Sequence, residues 1–368
     1  MNVRSMLLGS AAALVAVSGA RAADAVVAPE PEPVEYVRIC DMYGAGYYYI
    51  PGTEVCLKFG GYIRYDIGAG DLFGDSTDGD SSDAESYYKR GRYALRVEAR
   101  TETELGTLQG KVQVNFNWAT SDGGTAADEF HPVGGSSGIE RAWVKLGGLM
   151  WGVEDSQFTM WTDYASGVVM DDARIAFGPY ETHQISYTFD AGNGFSAMAG
   201  VEEGNNDDSP FTAAGAITDY TPHVVAGLKY KTGIFGVSGV GGYDSVQDEF
   251  SLKGRIDVTP NDLFSLFVMG AWTDDDDGSG GNWYATWGGD WGLWAGAAVH
   301  FNDRVTLNLQ GSYNEFSDYY LVADVNFTVV PGLVVTPGIA FSHGDGNPLS
   351  PTPVDDQWGG YLRTQFTF

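Results

Sequence analysis

The side chains best suited to act on other molecules are basic residues that recur at alternate positions. The stretch "RGRYALRVEAR" places Arg90, Arg92, Arg96 and Arg100 on one such set, and "QGKVQVNFNW" places Lys111 on another. Alternate residues of a β-strand share one face, so this spacing predicts a positively charged face on each strand. Such a face suits the wall of an aqueous space, where fixed charges order water and select small solutes.

Signals for catalysis or metal binding are poor. The histidines are scattered along the chain, whereas a hydrolase needs a nucleophile with a positioned base. The acidic run "TDDDDGSGGNW" lacks the alternating ligands and the later Glu of an EF-hand. Its glycines do not stand between a strand and a helix, as those of a nucleotide-binding loop would. The sequence therefore predicts a solvated loop there, and it predicts no enzyme activity, no metal and no cofactor.

Acidic residues mark one long segment, "SQFTMWTDYASGVVMDDARIAFGPYE", which carries Asp163, Asp171 and Asp172. Two interpretations are open. In the first, the basic residues only solvate an interior and the aspartates only solvate a loop surface. In the second, the loop folds inward and its carboxylates face the basic wall across a narrow gap, which creates a transverse field. Counting from the strand ends then predicts four constriction residues near mid-height: Arg64, Arg96, Lys111 and Arg141.

Strands must position these side chains. Period-two alternation predicts sixteen strands between residues 56 and 368, among them 56–68, 138–146 and 287–301. Tight turns such as "ELGT" and "VPGL" alternate with long connections, the longest being 156–181. A β-sandwich has no reason to sort its loops in this way, whereas an up-and-down barrel does. The prediction is an all-β fold, a 16-stranded antiparallel transmembrane β-barrel, whose last strand pairs with strand 56–68 to close it.

The beginning of the chain predicts export. Residues 1–22 combine a basic start, a short apolar stretch and a small-x-small cleavage signal, which is typical of a cleaved signal peptide. Residues 23–55 form a Pro/Glu-rich N-terminal segment, and residues 56–368 form the barrel. In an exported chain Cys40 and Cys56 are expected to form a disulfide, because no histidine lies near them to complete a zinc site.

Composition is consistent with an outer-membrane barrel, although hydropathy alone leaves an exported globular protein open. The chain has 51 Gly, 21 Tyr, 19 Phe and 10 Trp, and aromatic residues at that density suit the girdles of a membrane barrel. The formal net charge of −29 has the wrong sign for nucleic acid or an anionic membrane surface. It fits an acidic secreted domain, or an acidic surface that divalent cations could bridge to lipopolysaccharide.

Four stretches resemble the general diffusion porins of alphaproteobacterial outer membranes: the N-terminal block from "ADAVVAPEPEP" to "CLKFGGYIRYD", "ETELGTL", "ISYTFDAGNGFSA" and the terminal "RTQFTF". The resemblance covers essentially the whole chain. It implies a homotrimer of sixteen-stranded barrels, each with the third long loop folded into its lumen. It also implies that the terminal aromatic residue, Phe368, is the signal read by the outer-membrane assembly machinery.

The function predicted is passive diffusion of ions and small hydrophilic solutes through a water-filled pore in the outer membrane. Acidic loops at the outer mouth predict a weak cation preference at low salt, because screening removes their influence as salt rises. Two alternatives remain. A substrate-specific channel would need an aromatic ladder, for which only Trp143, Trp161 and Tyr361 are candidates, and a plugged structural or adhesive barrel would need an apolar interior.

Overall fold

The computed structural model describes residues 38–75, 86–120, 133–205, 215–274, 281–344 and 354–368. The predicted signal peptide, residues 1–22, and residues 23–37 of the Pro/Glu-rich segment lie outside these residues. Sixteen long strands are numbered here in chain order. They are β1 Cys56–Ala69, β2 Ser86–Thr103, β3 Gly106–Thr120, β4 Val133–Leu146, β5 Leu149–Asp155, β6 Glu181–Asp190, β7 Phe195–Glu202, β8 His223–Lys231, β9 Phe235–Asp244, β10 Glu249–Asn261, β11 Phe264–Thr273, β12 Trp291–Asn302, β13 Val305–Asn314, β14 Tyr319–Val330, β15 Leu333–Gly344 and β16 Val354–Thr367.

Every strand pairs antiparallel with its neighbours in the chain, and β16 pairs with β1, so the sheet closes on itself. In the closing pair Gly360 lies opposite Ala69 and Thr367 lies opposite Tyr62. Phe368 continues the ladder, since its N–H donates to the Gly61 carbonyl at 3.1 Å and its carbonyl accepts from the Gly61 N–H at 3.1 Å. The predicted sixteen-stranded barrel and its closing pair are confirmed, and closure leaves no unpaired edge.

Most strand limits agree with the prediction to within three residues, and two strand starts differ by more. Strand β4 begins at Val133 rather than at residue 138, because the Gly/Ser-rich start of the strand carries no alternation to read. Strand β12 begins at Trp291 rather than at residue 287, because the residues before it form a buried connection. The chain also contains a 3₁₀-helix at Asp41–Tyr43, an α-helix at Gln157–Met160, and two-residue strands at Tyr48–Tyr49 and Gly74–Asp75.

The wall has one polar and one apolar face, as β13 illustrates. Asn308, Gln310 and Ser312 are 3–4% exposed, whereas Leu309 between them is 40% exposed. Apolar side chains at alternate positions therefore point away from the barrel, and polar side chains point into it. This inversion of a soluble fold is expected where lipid surrounds the wall and water fills the interior.

A disulfide joins Cys40 to Cys56 at the start of β1, with a Cα–Cα distance of 6.0 Å. The predicted pairing is confirmed. Next to it, the Tyr47 hydroxyl donates to Glu98 at 2.5 Å and the Tyr43 hydroxyl donates to Glu102 at 2.9 Å. Burial, reinforced by the hydrogen bond to Glu98, raises the pKa of Tyr47 to about 12. The N-terminal segment thus lies against the inner face of β2, at the end of the barrel where the turns are short.

Candidate functional site

The predicted basic residues of the first three strands all lie on the inner face. The Arg64 Nε donates to the Gln365 side chain at 2.9 Å, and the Arg96 Nε donates to the Gln113 side chain at 2.6 Å. Lys111 places its Nζ 5.7 Å from the centre of the Trp143 ring. Strands β16 and β1–β4 are contiguous across the closing pair, so these cations share one wall, which is named here the basic half.

Arg141 is positioned differently from the other predicted residues. It forms ion pairs with Glu154 and Asp155 at the end of β5, and these carboxylates are 6% and 0% exposed. The Tyr164 hydroxyl also donates to Asp155. Arg141 therefore ties the root of the long loop to β4, and its charge is balanced locally. Sequence reading had no means to find this pairing, because both carboxylates lie on the next strand.

A second ion-pair group lies farther along the same wall. Asp66 is 3% exposed and accepts from Arg90 at 2.8 Å and from Arg363 at 2.6 Å. It thus joins β16, β1 and β2 through their inner face. The alternation in the sequence placed all three side chains inside, but it gave no sign that they pair.

The long loop after β5 begins with a fixed turn. Ser156 caps the short helix, since its hydroxyl oxygen accepts from the Phe158 N–H at 3.1 Å. Glu202 of β7 accepts from the Ser156 hydroxyl at 2.8 Å and from the Gln157 N–H at 2.7 Å. These bonds fix the turn by which the chain leaves the end of β5.

From there residues 156–180 follow the inner face of the opposite wall. The Phe177 carbonyl accepts from Lys253 at 2.5 Å, and the Ile175 carbonyl accepts from Trp294 at 3.0 Å. Farther along, the Val169 N–H donates to Asp324 at 2.7 Å. Because these partners belong to β10, β12 and β14, this part of the loop is held mainly by the wall opposite the basic half, although Val168 also shares a buried cluster with Tyr361 of β16.

The three predicted loop acids do not share one environment. Asp163 is exposed in a left-handed backbone conformation, φ 58°, with its carboxylate 3.8 Å from Lys229 of β8. Asp172 accepts from the Tyr180 hydroxyl at 2.5 Å. Burial, with the neighbouring Asp172 carboxylate, raises the pKa of Asp171 well above its ordinary value. Asp171 and Asp172 therefore form a pair, and Asp163 contacts a different part of the wall.

A second connection, residues 281–290, also packs against the inside of the barrel, and the sequence analysis did not predict it. Trp283, Tyr284 and Trp287 are 0% exposed. The Phe158 ring lies 5.0 Å from that of Tyr284 and 6.3 Å from that of Trp287. Together with apolar inner residues of β7–β9, β11 and β12, these side chains form one buried cluster, which is named here the apolar half.

Glycines in the wall admit these aromatic rings. A Cβ on Gly227 of β8 would lie 2.4 Å from the Trp161 ring, and one on Gly242 of β9 would lie 2.6 Å from the Tyr284 ring. Any larger residue there would displace the rings. A signal for this half exists in the sequence of β11, "FSLFVMGAWT", which is apolar on both faces instead of alternating.

Two other features, a membrane-spanning helix and a metal-binding cluster, are not found in the described residues. No helix in them has the length and apolar character to cross a membrane. Across the same ranges, no group of three or more His, Cys, Asp and Glu side chains is arranged to hold a metal ion. Most of the acidic run at 274–277 lies outside the described residues, as do Asp78, Asp80, Asp207 and Asp208.

A closed sheet that is apolar outside, polar inside and lined on one side by charged residues defines a transmembrane β-barrel channel. Comparison with known proteins places the chain within that class. The Porin subfamily profile matches residues 24–363, and the chain belongs to this family. It is 43% identical to Porin Omp2b of Brucella neotomae over 370 residues and to Porin Omp2b of Brucella melitensis over 374 residues, in both cases across 100% of each chain.

Solved structures share the fold. The outer membrane channel DcaP of Acinetobacter baumannii matches with a TM-score of 0.66 and 14% identity, over 87% of this chain and 99% of that one. An anion-selective porin from Comamonas acidovorans matches with a TM-score of 0.53 and 11% identity, over 86% and 100%. The chain is therefore an outer-membrane porin, a channel for passive diffusion and not an enzyme.

Proposed function

We propose that the narrowest part of the water path lies between the loop at residues 156–180 and the basic half. The loop is held by β10, β12 and β14, which supports a free side directed toward Arg64, Arg96 and Lys111. Its acidic pair, Asp171 and Asp172, would supply the negative side of a transverse field. Arg141 would act mainly at the root of the loop, because Glu154 and Asp155 balance its charge.

The solutes proposed are ions and small hydrophilic molecules, with a weak cation preference at low salt. The net charge of −29 supports this preference. Charges in water are screened beyond about 8–10 Å at physiological ionic strength, so the pull of acidic loops fades as salt rises. Charges at a constriction act at contact distance and are screened less.

A substrate-specific channel is the alternative function. Its aromatic ladder would need continuity, and the three candidate rings are engaged separately. Trp143 donates to Glu154 at 2.6 Å, Trp161 packs in the apolar half, and Tyr361 donates to Asp324 at 2.9 Å. This separation favours a general channel over a specific one.

Assembly is also proposed in finer detail. Porins are generally trimeric, and we propose that this chain forms a homotrimer in contact with lipid and lipopolysaccharide. The Phe368 ring lies 6.4 Å from the Tyr93 ring, and its backbone closes the barrel. We propose that the assembly machinery also recognises this residue. Phe368→Ser should then lower surface levels without blocking export, and Phe368→Tyr should retain them. Normal levels of the Ser variant would contradict recognition.

The constriction is tested by reversal potentials across a salt gradient in planar bilayers. Changing Asp171 and Asp172 together to Asn should move the potential toward anions, because it removes the negative side of the gap. Arg96→Ala should move it toward cations. If the double Asn variant matches the parent protein, the loop does not line the narrowest part and the proposed constriction is wrong.

A further inference from the structure

The arginines of the basic half fall into two groups by the partner of each guanidinium. Arg90 and Arg363 are paired with Asp66, Arg100 with Glu98, and Arg141 with Glu154 and Asp155. Arg64, Arg92 and Arg96 have no carboxylate partner among the residues that the structure describes. These three are named here the amide-held arginines, because each is fixed by the side chain of a Gln or an Asn.

The amide-held arginines repeat one geometry. In each, Nε donates to an amide oxygen on a neighbouring strand: Arg64 to Gln365 at 2.9 Å, Arg92 to Asn117 at 2.7 Å and Arg96 to Gln113 at 2.6 Å. Within the described ranges no hydrogen bond reaches their terminal nitrogens. A neutral amide orients each guanidinium without cancelling its charge, which leaves the two-nitrogen fork available to a solute.

The guanidinium groups of the three amide-held arginines lie close together. Arg64 and Arg92 are direct cross-strand partners, so their Cβ atoms are about 4.5–5.5 Å apart. The buried Tyr62 ring links Arg64 to Arg96, with their Cζ atoms 4.6 Å and 5.3 Å from its centroid. These two guanidinium carbons are therefore no more than about 10 Å apart, by the sum of the two separations through the shared ring.

Like charges directly opposite each other on a sheet are destabilising. Elsewhere on the same wall, repulsion between arginines is offset by a carboxylate. Asp66 lies between Arg90 and Arg363, one inward position beyond Arg64 on β1. At the amide-held arginines the repulsion is retained. An anion that enters the gap would relieve it, and planar forks bind carboxylate and phosphate oxygens in a bidentate manner.

We propose that Arg64, Arg92 and Arg96 form a transient binding site for small oxyanions with two negative charges, carried on carboxylate or phosphate groups. This inference rests on the proposed constriction and names a solute class that the constriction would favour. It adds Arg92, which was not among the predicted constriction residues. Binding must be weak enough for release, as conduction requires.

The test is single-channel current in potassium chloride titrated with inorganic phosphate at about pH 8, where phosphate is mostly doubly charged. Ionic strength is kept constant, and acetate serves as the singly charged control. The parent protein should show a saturable reduction of current with phosphate and a much weaker one with acetate. No saturable effect of phosphate would overturn the proposal.

Two variants separate this site from general attraction. Arg92→Gln should raise the apparent Kd for phosphate about tenfold, the equivalent of losing one fork. Arg90→Gln removes the same charge two positions away from Arg92. The Arg90 guanidinium is already paired with Asp66, so this change should alter the Kd for phosphate by less than about twofold. Equal weakening by both variants would overturn the proposal.

Arg92→Lys keeps the charge and loses the fork, so it should bind phosphate more weakly than the parent protein and more tightly than Arg92→Gln. Binding equal to the parent protein would contradict the role of the fork. Gel migration of the unheated barrel checks that each variant is folded. The reversal potential in potassium chloride alone reports the proposed constriction, so a failure of the anion site can be distinguished from a failure of the constriction.

Discussion

The two halves of the barrel interior are built on opposite principles. The apolar half is filled by two connections, 156–180 and 281–290, whose aromatic rings pack on inner residues of β7–β9, β11 and β12. The basic half keeps its charged side chains on the inner face. The long loop contacts it at the root, through Arg141, and farther along, where Val168 shares a buried cluster with Tyr361 of β16. One wall thus holds the loops. We propose that the opposite wall is left for water and solutes, and that the function of the channel depends on this asymmetry.

The largest effect is expected in the apolar half. Trp287 is 0% exposed, and its ring lies 6.1 Å from that of Trp294. Trp287→Ala should lower the free energy of unfolding by about 3–5 kcal/mol, the usual range for a large buried aromatic residue. The control is Trp118→Ala, because Trp118 is 63% exposed on the outer face. If thermal unfolding shows the same loss of stability in Trp287→Ala and Trp118→Ala, the packing of the loops adds no stability.

The N-terminal segment on the basic half depends on a covalent link, so a smaller effect is expected there. Changing Cys40 and Cys56 to Ser opens a link between residues 16 apart in sequence. The loop-closure entropy of the unfolded chain predicts that the free energy of unfolding falls by about 3 kcal/mol. The measurement is the unfolding midpoint, and a reducing agent should lower the midpoint of the parent protein to that of the double variant. A midpoint unaffected by either change would contradict this role.

Much of the fold follows from local patterns, and the site follows only in part. Alternation in β1–β3 predicted the inner positions of Arg64, Arg96 and Lys111, because the period of a strand fixes which face each residue occupies. The pairing of Arg141 with Glu154 depends on register between strands, which alternation does not determine. The burial of Trp283 and Tyr284 depends on a connection folding back, and composition alone reads that segment as a solvated loop.

A still smaller effect concerns pH. Because the pKa of Asp171 is raised, the loop should lose a negative charge as pH falls through a value above the ordinary Asp range near 3.9. The reversal potential of the parent protein should then move toward anions by a few millivolts. Asp171→Asn should abolish this transition, and Asp163→Asn should retain it. An unchanged transition in Asp171→Asn would mean that another group titrates.

The most direct test of the asymmetry is the accessibility of single cysteines to a charged thiol reagent during current recording. Both native cysteines are in the disulfide, so an introduced thiol is the only target. Ser136→Cys lies on the basic half, where Ser136 is exposed and bonded to Asn117 at 3.5 Å, and Ser251→Cys lies under the loops, where Ser251 is 0% exposed. The account predicts that the reagent reduces current through the first variant and leaves the second unchanged. Rapid modification at position 251 with none at position 136 would contradict it.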